Sequence, residues 1–232
     1  MQKSRFPPDG SQLSRYAARL NAAEINTSFY RFHDPAVYAR WAAATPEAFR
    51  FSLKIPRLIS HDRALMRARE PLERFLDESS ALGPKRGALL LQLPPSFAFD
   101  ARSVARFFDL VRARYEGPLV CEPRHASWTS AAATRVLVRC HVARVAADPP
   151  RADGLGEPAG WDGLIYYRWH GSPRPYFSPY SDERLTELAA RIAASTVDVW
   201  CVFDNTGSGA AAANALTVSD DLARRETIRT PV

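Results

Sequence analysis

Short apolar runs rich in β-branched and aromatic residues recur along the chain, separated by segments whose apolar positions return every three or four residues. The first pattern marks strands and the second amphipathic helices. Strands are predicted at about 22–30 (AAEINTSFY), 50–55, 87–93 (GALLLQL), 118–124, 143–148, 164–170 and 198–204. Helices are predicted at about 11–20, 34–44, 70–82, 101–115, 129–140, 182–195 and 209–222, with Asp34 before Pro35, Asp100 and Ser181 as starts. The exception to strict alternation is "PPRADGLGEPAGWDG", a Pro/Gly-rich loop joining two strands. Strands separated by helices cannot pair as hairpins, so one α/β domain over residues 1–232 with a mostly parallel sheet is expected. A (βα)8 barrel and an open doubly wound sheet both satisfy this order; seven strands in 232 residues favour the barrel.

Side chains alternate between the two faces of a strand, so polar residues sort by parity. Glu24, Asn26, Ser28 and Tyr30 share one face; so do Ser52 and Lys54, Glu122 and Arg124, Arg144 and Asp148, and Arg168 and His170. The opposite parity is apolar and suits packing against helices. The polar set is therefore expected to point inward, gathered late in each strand, where the active sites of parallel barrels lie.

Totals change little. Hydrophobic residues make up 46% and charged residues 24%, as in an ordinary globular protein. No apolar run approaches a membrane span, and "MQKSRFPPDG" has no signal-peptide core, so the chain reads as cytoplasmic. Cys121, Cys140 and Cys201 lack the spacing of a disulfide framework or zinc site. The net charge of +6 admits an anionic partner, nucleic acid included, but the arginines alternate with acids along helical segments, as on a solvated face.

Phosphate-loop, dinucleotide, Cys-x-x-Cys, His-Glu-x-x-His and Gly-x-Ser-x-Gly motifs are absent from the sequence. The candidate chemistry is a set of acids and bases around one mouth. Glu122, Asp148 and His170 are the proton-transfer candidates. Asn26, Lys54, Gln92, Arg124, Arg168, Asp204 and Asn205 are candidates for substrate binding, the cations suiting phosphate or carboxylate. Gly207, Ser208 and Gly209, between a strand and a helix, are added as an anion-binding turn. No cofactor is expected. A metal held by Glu122, Asp148, His170 and Asp204 has no spacing signature and is opposed by the nearby arginines, so none is assigned.

The stretches "AAEINTSFYRF", "WAAATPEAFRFSLKIPRLISH", "LLLQLPPSF", "VCEPRHASW", "YYRWHGSPRPYFSPY" and "VFDNTGSGAAAANA", in this order, resemble the motifs of the domain of unknown function 72 family, also called YecE-like. The resemblance covers about residues 6–220 and implies a TIM-type (βα)8 barrel without an established activity. It also implies a first strand reading Ile-Gly-Thr-x-Gly-Trp ahead of "RFPPDGSQLSRYA", where this chain has none. The expectation is seven of eight strands, with those at 22–30 and 198–204 flanking a gap. Function is read as a hydrolase- or lyase-like enzyme acting on a small anionic or phosphorylated molecule. A nucleic-acid-binding or nuclease-like barrel and a non-catalytic interaction domain are the alternatives.

Overall fold

Parallel pairing dominates, as the alternation requires. In the computed structural model, which describes residues 5–229, β1 (Ala22–Ile25), β2 (Arg50–Lys54), β3 (Arg86–Gln92), β4 (Leu119–Glu122) and β5 (Val142–Arg144) pair in sequence. A second parallel set joins β6 (Ala146–Asp148), β8 (Leu164–Trp169) and β9 (Asp198–Phe203). The short β7 (Ala159–Gly160), inside the Pro/Gly loop, lies antiparallel to β5. Residues 142–148 run through both sheets, changing partner from β4 to β8 at Val145.

The helices are α1 (Gln12–Ala17), α2 (Thr27–Tyr30), α3 (Pro35–Ala43), α4 (Arg69–Ser79), α5 (Ala101–Arg112), α6 (Ala131–Arg139), α7 (Asp182–Ala193) and α8 (Ala210–Arg229). Asp34, Asp100 and Ser181 each accept a backbone N–H of the first turn, which satisfies a donor that the helix leaves unpaired. α8 continues past the predicted end at residue 222.

Alternation on β3 shows how the core is layered. Leu89, Leu91 and Leu93 pack outward with Phe107 and Phe108 of α5, whereas Ala88 and Leu90 face inward with Val120, Ala143, Val145 and Tyr166. Both faces are buried, as expected for a parallel sheet covered by helices. Each fully buried leucine or phenylalanine stabilises by roughly 1.5–3 kcal/mol.

Two predicted strands need correction. The strand predicted at 22–30 stops at Ile25, and Thr27–Tyr30 form a helical turn. The Ser28 hydroxyl sits 2.9 Å from the Ile25 carbonyl and 2.8 Å from the Lys54 carbonyl, tying the turn to β2. In the 143–148 segment the polar parity faces outward: register pairs Arg144 with Cys121 and Asp148 with Trp169, both on the helix side.

The sheet does not close. Among the described residues β1 and β9 do not pair with each other, and a cleft of about 1090 Å³ lies between them. Ala22, Ala23, Trp200 and Val202 line it together with Leu13 of α1 and Ala215 and Val218 of α8. The sheet nevertheless curves strongly, since Glu24 on β1 reaches Tyr166 and Arg168 on β8.

Candidate functional site

Inward parity and parallel register bring polar side chains from β1, β2, β3, β4, β8 and the end of β9 to one mouth. Arg168, 1% exposed, is its centre. Its guanidinium lies 2.8 Å from Glu24 Oε1, 3.1 Å from Glu122 Oε2 and 2.9 Å from Asp204 Oδ2. A planar fork with five donors suits this role: Nε and Nη2 together hold Glu24 while Nη1 reaches Glu122. Glu24 also accepts the Tyr166 hydroxyl at 2.8 Å, and that hydroxyl in turn lies 2.8 Å from Ser52 Oγ.

Glu122 is the second hub. Gln92 donates to both its oxygens at 3.0 and 3.1 Å, and Arg124 donates to Oε1 through Nε at 3.1 Å and Nη2 at 3.0 Å. The pairing demanded by the half-buried Arg124 is thus met. Burial pushes the Glu122 carboxyl up, but Arg168, His170 and Arg124 together hold it well below the usual carboxylate range. Asp204 behaves alike: burial raises it, and His170 and Arg168 more than compensate, so it stays ionised.

His170 lies between two carboxylates. Nε2 is 3.3 Å from Glu122 Oε1 and Nδ1 is 3.2 Å from Asp204 Oδ2. A ring with an acceptor at each nitrogen is best served by protons on both, and although burial lowers its pKa, the hydrogen bonds to Asp204 and Glu122 raise it overall. Both nitrogens of this buried ring are thus engaged by carboxylates beside the mouth.

Lys54, at the end of β2, is 7% exposed and stands 4.0 Å above the centroid of the Phe29 ring. Among the described residues no carboxylate or other acceptor lies within hydrogen-bonding distance of its Nζ. Burial and then Arg168 lower its pKa to about 8, against the pull of Glu122, Glu24 and Asp204. The placing of Phe29 beneath it depends on the turn of α2.

The remaining candidates fall elsewhere. Asn26 Oδ1 accepts a long 3.4 Å bond from Arg168 at the edge of the cluster. Asp148 lies on the outer side, away from the mouth where its parity was expected to place it: its carboxylate pairs with Arg184 of α7 at 2.5 Å and accepts the Tyr180 hydroxyl at 2.9 Å. Asn205, fully buried, donates to the Ser178 carbonyl at 2.9 Å and to Asn214 at 2.8 Å, anchoring the turn instead of facing the cluster. The N–H groups of Gly207, Gly209 and Ala211 donate to the carbonyls of Tyr176, Thr206 and Asn205, and the Ser208 hydroxyl donates to the Phe177 carbonyl. Those donors are engaged by carbonyls of the turn itself and of the 176–177 segment packed against it.

Glu24, Tyr166 and Ser52 complete the network and were not among the predicted site residues, although each shares the inward parity. Of the aromatic residues near strand ends, Tyr176 packs edge-on against His170, with ring centroids 5.6 Å apart. Trp169 packs outward with Tyr180 and Phe203. Among the described residues no group of three His, Cys, Asp or Glu side chains is arranged to hold a metal ion, and a guanidinium sits between the three mouth carboxylates. On the surface, arginines pair with acids: Arg74 with Glu78, Arg114 with Asp77, Arg139 with Asp109 and Arg225 with Asp221. Among the described residues no helix is long and apolar enough to cross a membrane.

Comparison with known proteins gives one consistent result. A family model described as "Protein of unknown function DUF72" matches residues 3–231. The UPF0759 protein YecE of Escherichia coli (strain K12) is 39% identical over 87 residues, which is 38% of this chain and 32% of that protein. The matched stretch thus spans about a third of that relative's length. The crystal structure of a DUF72 family protein from Enterococcus faecalis V583 superposes with a TM-score of 0.78 at 22% identity, over 92% of this chain and 88% of that one. Another from Thermotoga maritima MSB8 superposes with a TM-score of 0.73 at 25% identity, over 88% and 85%.

Proposed function

The chain belongs to the DUF72 family, and from that premise we propose that the mouth around Arg168 is an enzyme site of hydrolase or lyase type, acting on a small phosphorylated or carboxylate-bearing molecule. The observation that carries this reading is the charge balance of the cluster. With His170 protonated, Glu24, Glu122 and Asp204 face four cations, Arg124, Arg168, His170 and Lys54, an excess of one positive charge, and Lys54 is the one that makes no ion pair with them among the described residues. A purely structural network balances its charges, because a buried ion without a partner is costly. A site that receives an anion leaves a cation for it.

The roles follow from the bonding. Glu122 has its oxygens taken by Gln92, Arg124, Arg168 and His170, so it orients these groups and does not abstract protons. His170, as an imidazolium, is the general acid. Lys54 receives the anion, with Arg124, whose side chain is 14% exposed, at the rim. We further propose that the curved sheet is a TIM-type barrel left open between β1 and β9, which places this mouth at the strands' carboxyl ends.

Thermal denaturation with inorganic phosphate, phosphate monoesters, small carboxylates and neutral analogues tests the reading. Saturable stabilisation by anions and none by neutral analogues is expected. Stabilisation by DNA or RNA alone, with a steep salt dependence, would favour the nucleic-acid alternative instead.

A further inference from the structure

We propose that Lys54 is a covalent nucleophile that forms a Schiff base with the carbonyl carbon of a small ketone or aldehyde carrying a phosphate or carboxylate, an inference that rests on the anion-binding reading above. Anion binding by itself is served best by an arginine fork, and the cluster holds two, both committed to carboxylates. A lysine at this place can hold an anion as the ammonium and also, unlike an arginine, react as the free amine.

Three features point to nucleophilic chemistry. Lys54 is buried on the inward face at the end of β2, so its amine reaches the mouth rather than solvent. Its Nζ lies over the Phe29 ring, and burial together with the Arg168 guanidinium outweighs the carboxylates of Glu122, Glu24 and Asp204 in its field. Desolvation beside another cation is the recognised way to free a lysine amine for attack. With a pKa near 8 roughly a tenth of the amine is unprotonated at neutral pH, against well under a thousandth for an ordinary lysine. By contrast, Lys85 is fixed by the carbonyls of Ala42 and Thr45, both at 2.6 Å.

His170 supplies the proton that the step needs. The Lys54 amine lone pair attacks the carbonyl carbon, forming the C–N bond, and the carbonyl oxygen takes up a proton to give a carbinolamine. That proton comes from the attacking nitrogen, so the carbinolamine is neutral, and the His170 imidazolium protonates its hydroxyl, which departs as water. The nitrogen lone pair closes the C=N bond. Neutral amine, carbonyl and one proton thus become an iminium and one water, with no oxidant or reductant. The iminium then draws electrons from the adjacent carbon, as C–C or C–H cleavage in a lyase requires.

The chain has three lysines, Lys3, Lys54 and Lys85, so trapping is easy to read. The folded protein is incubated near neutral pH with pyruvate or dihydroxyacetone phosphate and sodium cyanoborohydride, which delivers hydride to the iminium carbon and fixes it as a secondary amine. Peptide mass spectrometry locates the adduct, and thermal denaturation with inorganic phosphate is run in parallel. Labelling of Lys54 at least about tenfold faster than Lys85, slowed by phosphate and absent from that peptide in Lys54→Arg, is the expected result. Equal labelling of the lysines, or no adduct while phosphate still stabilises the protein, overturns the Schiff base and leaves the anion site standing. No adduct and no stabilisation by phosphate overturns both. The wild-type protein alone decides these outcomes, so they do not depend on the variant folding.

Discussion

Replacing Arg168 with methionine removes the one group that touches three buried carboxylates, while keeping most of the side-chain volume. Glu122 would retain Gln92, Arg124 and His170, and Asp204 would retain His170. Glu24 would keep the Tyr166 hydroxyl as its strong partner, at 2% side-chain exposure. Breaking a buried pair from one side costs about 3–5 kcal/mol, a large share of the roughly 5–15 kcal/mol that holds a domain folded. The loss has a sign with pH. In the wild type Glu122 and Asp204 have lowered pKa values, so their stabilisation is present above the ordinary carboxylate range and fades as pH falls through the folded values. In Arg168→Met, Glu122 and Asp204 lose the guanidinium that helps hold their pKa values down, so less of this stabilisation remains as pH rises above the carboxylate range. Urea unfolding followed by tryptophan fluorescence at about pH 5 and about pH 8 should therefore show a larger deficit at the higher pH. A deficit below about 1 kcal/mol, or one equal at both values, would refute the picture of Arg168 as the counter-ion of the cluster.

Other substitutions probe the neighbours. Lys54→Met should stabilise the protein at pH 7 by up to about 3 kcal/mol, because the cost of burying the ammonium is fully present below the folded value of about 8 and disappears as pH rises towards the ordinary lysine range; urea unfolding at pH 7 showing destabilisation would contradict this. In Glu122→Gln the His170 ring should titrate at lower pH than in the wild type, as read from its proton resonances, since one of the two acceptors that raise it is neutralised. The stability contributed by His170 is present below about pH 6.5 and lost as pH rises through its raised value, so this variant should flatten that part of the stability profile. Asp148→Asn should cost under about 1 kcal/mol through its pair with the partly exposed Arg184 and leave anion affinity unchanged; weakened binding would place Asp148 back in the site.

The inward face was legible wherever one parity of a strand was clearly polar. Glu122 with Arg124, Arg168 with His170, and Ser52 with Lys54 all converge as alternation requires. The rule failed on "ARVAAD", where small apolar residues occupy both parities and Arg144 and Asp148 find partners on the outer side, Arg144 Nη1 and Nη2 at the carbonyls of Trp128 and Gly154 and Asp148 at Arg184. It also failed after Ile25, where β-branched and aromatic residues suggested a longer strand but the Ser28 hydroxyl competes for backbone carbonyls and closes a turn. The glycines of the 207–209 turn advertised an anion cradle, and their N–H groups bond within the fold. Such bonds depend on chain segments distant in sequence, which no local pattern carries. Among the described residues β1 and β9 stand at the ends of their sheets and do not pair with each other.

The surplus positive charge at Lys54 is the feature on which the functional account rests, and calorimetric titration of a phosphate monoester into the wild type and into Lys54→Met examines it directly. The account predicts saturable one-to-one binding by the wild type and affinity at least about tenfold lower in the variant, a difference of about 1.4 kcal/mol, because the remaining charges of the cluster then balance. Equal affinity of the two proteins, or no binding by the wild type, would contradict it.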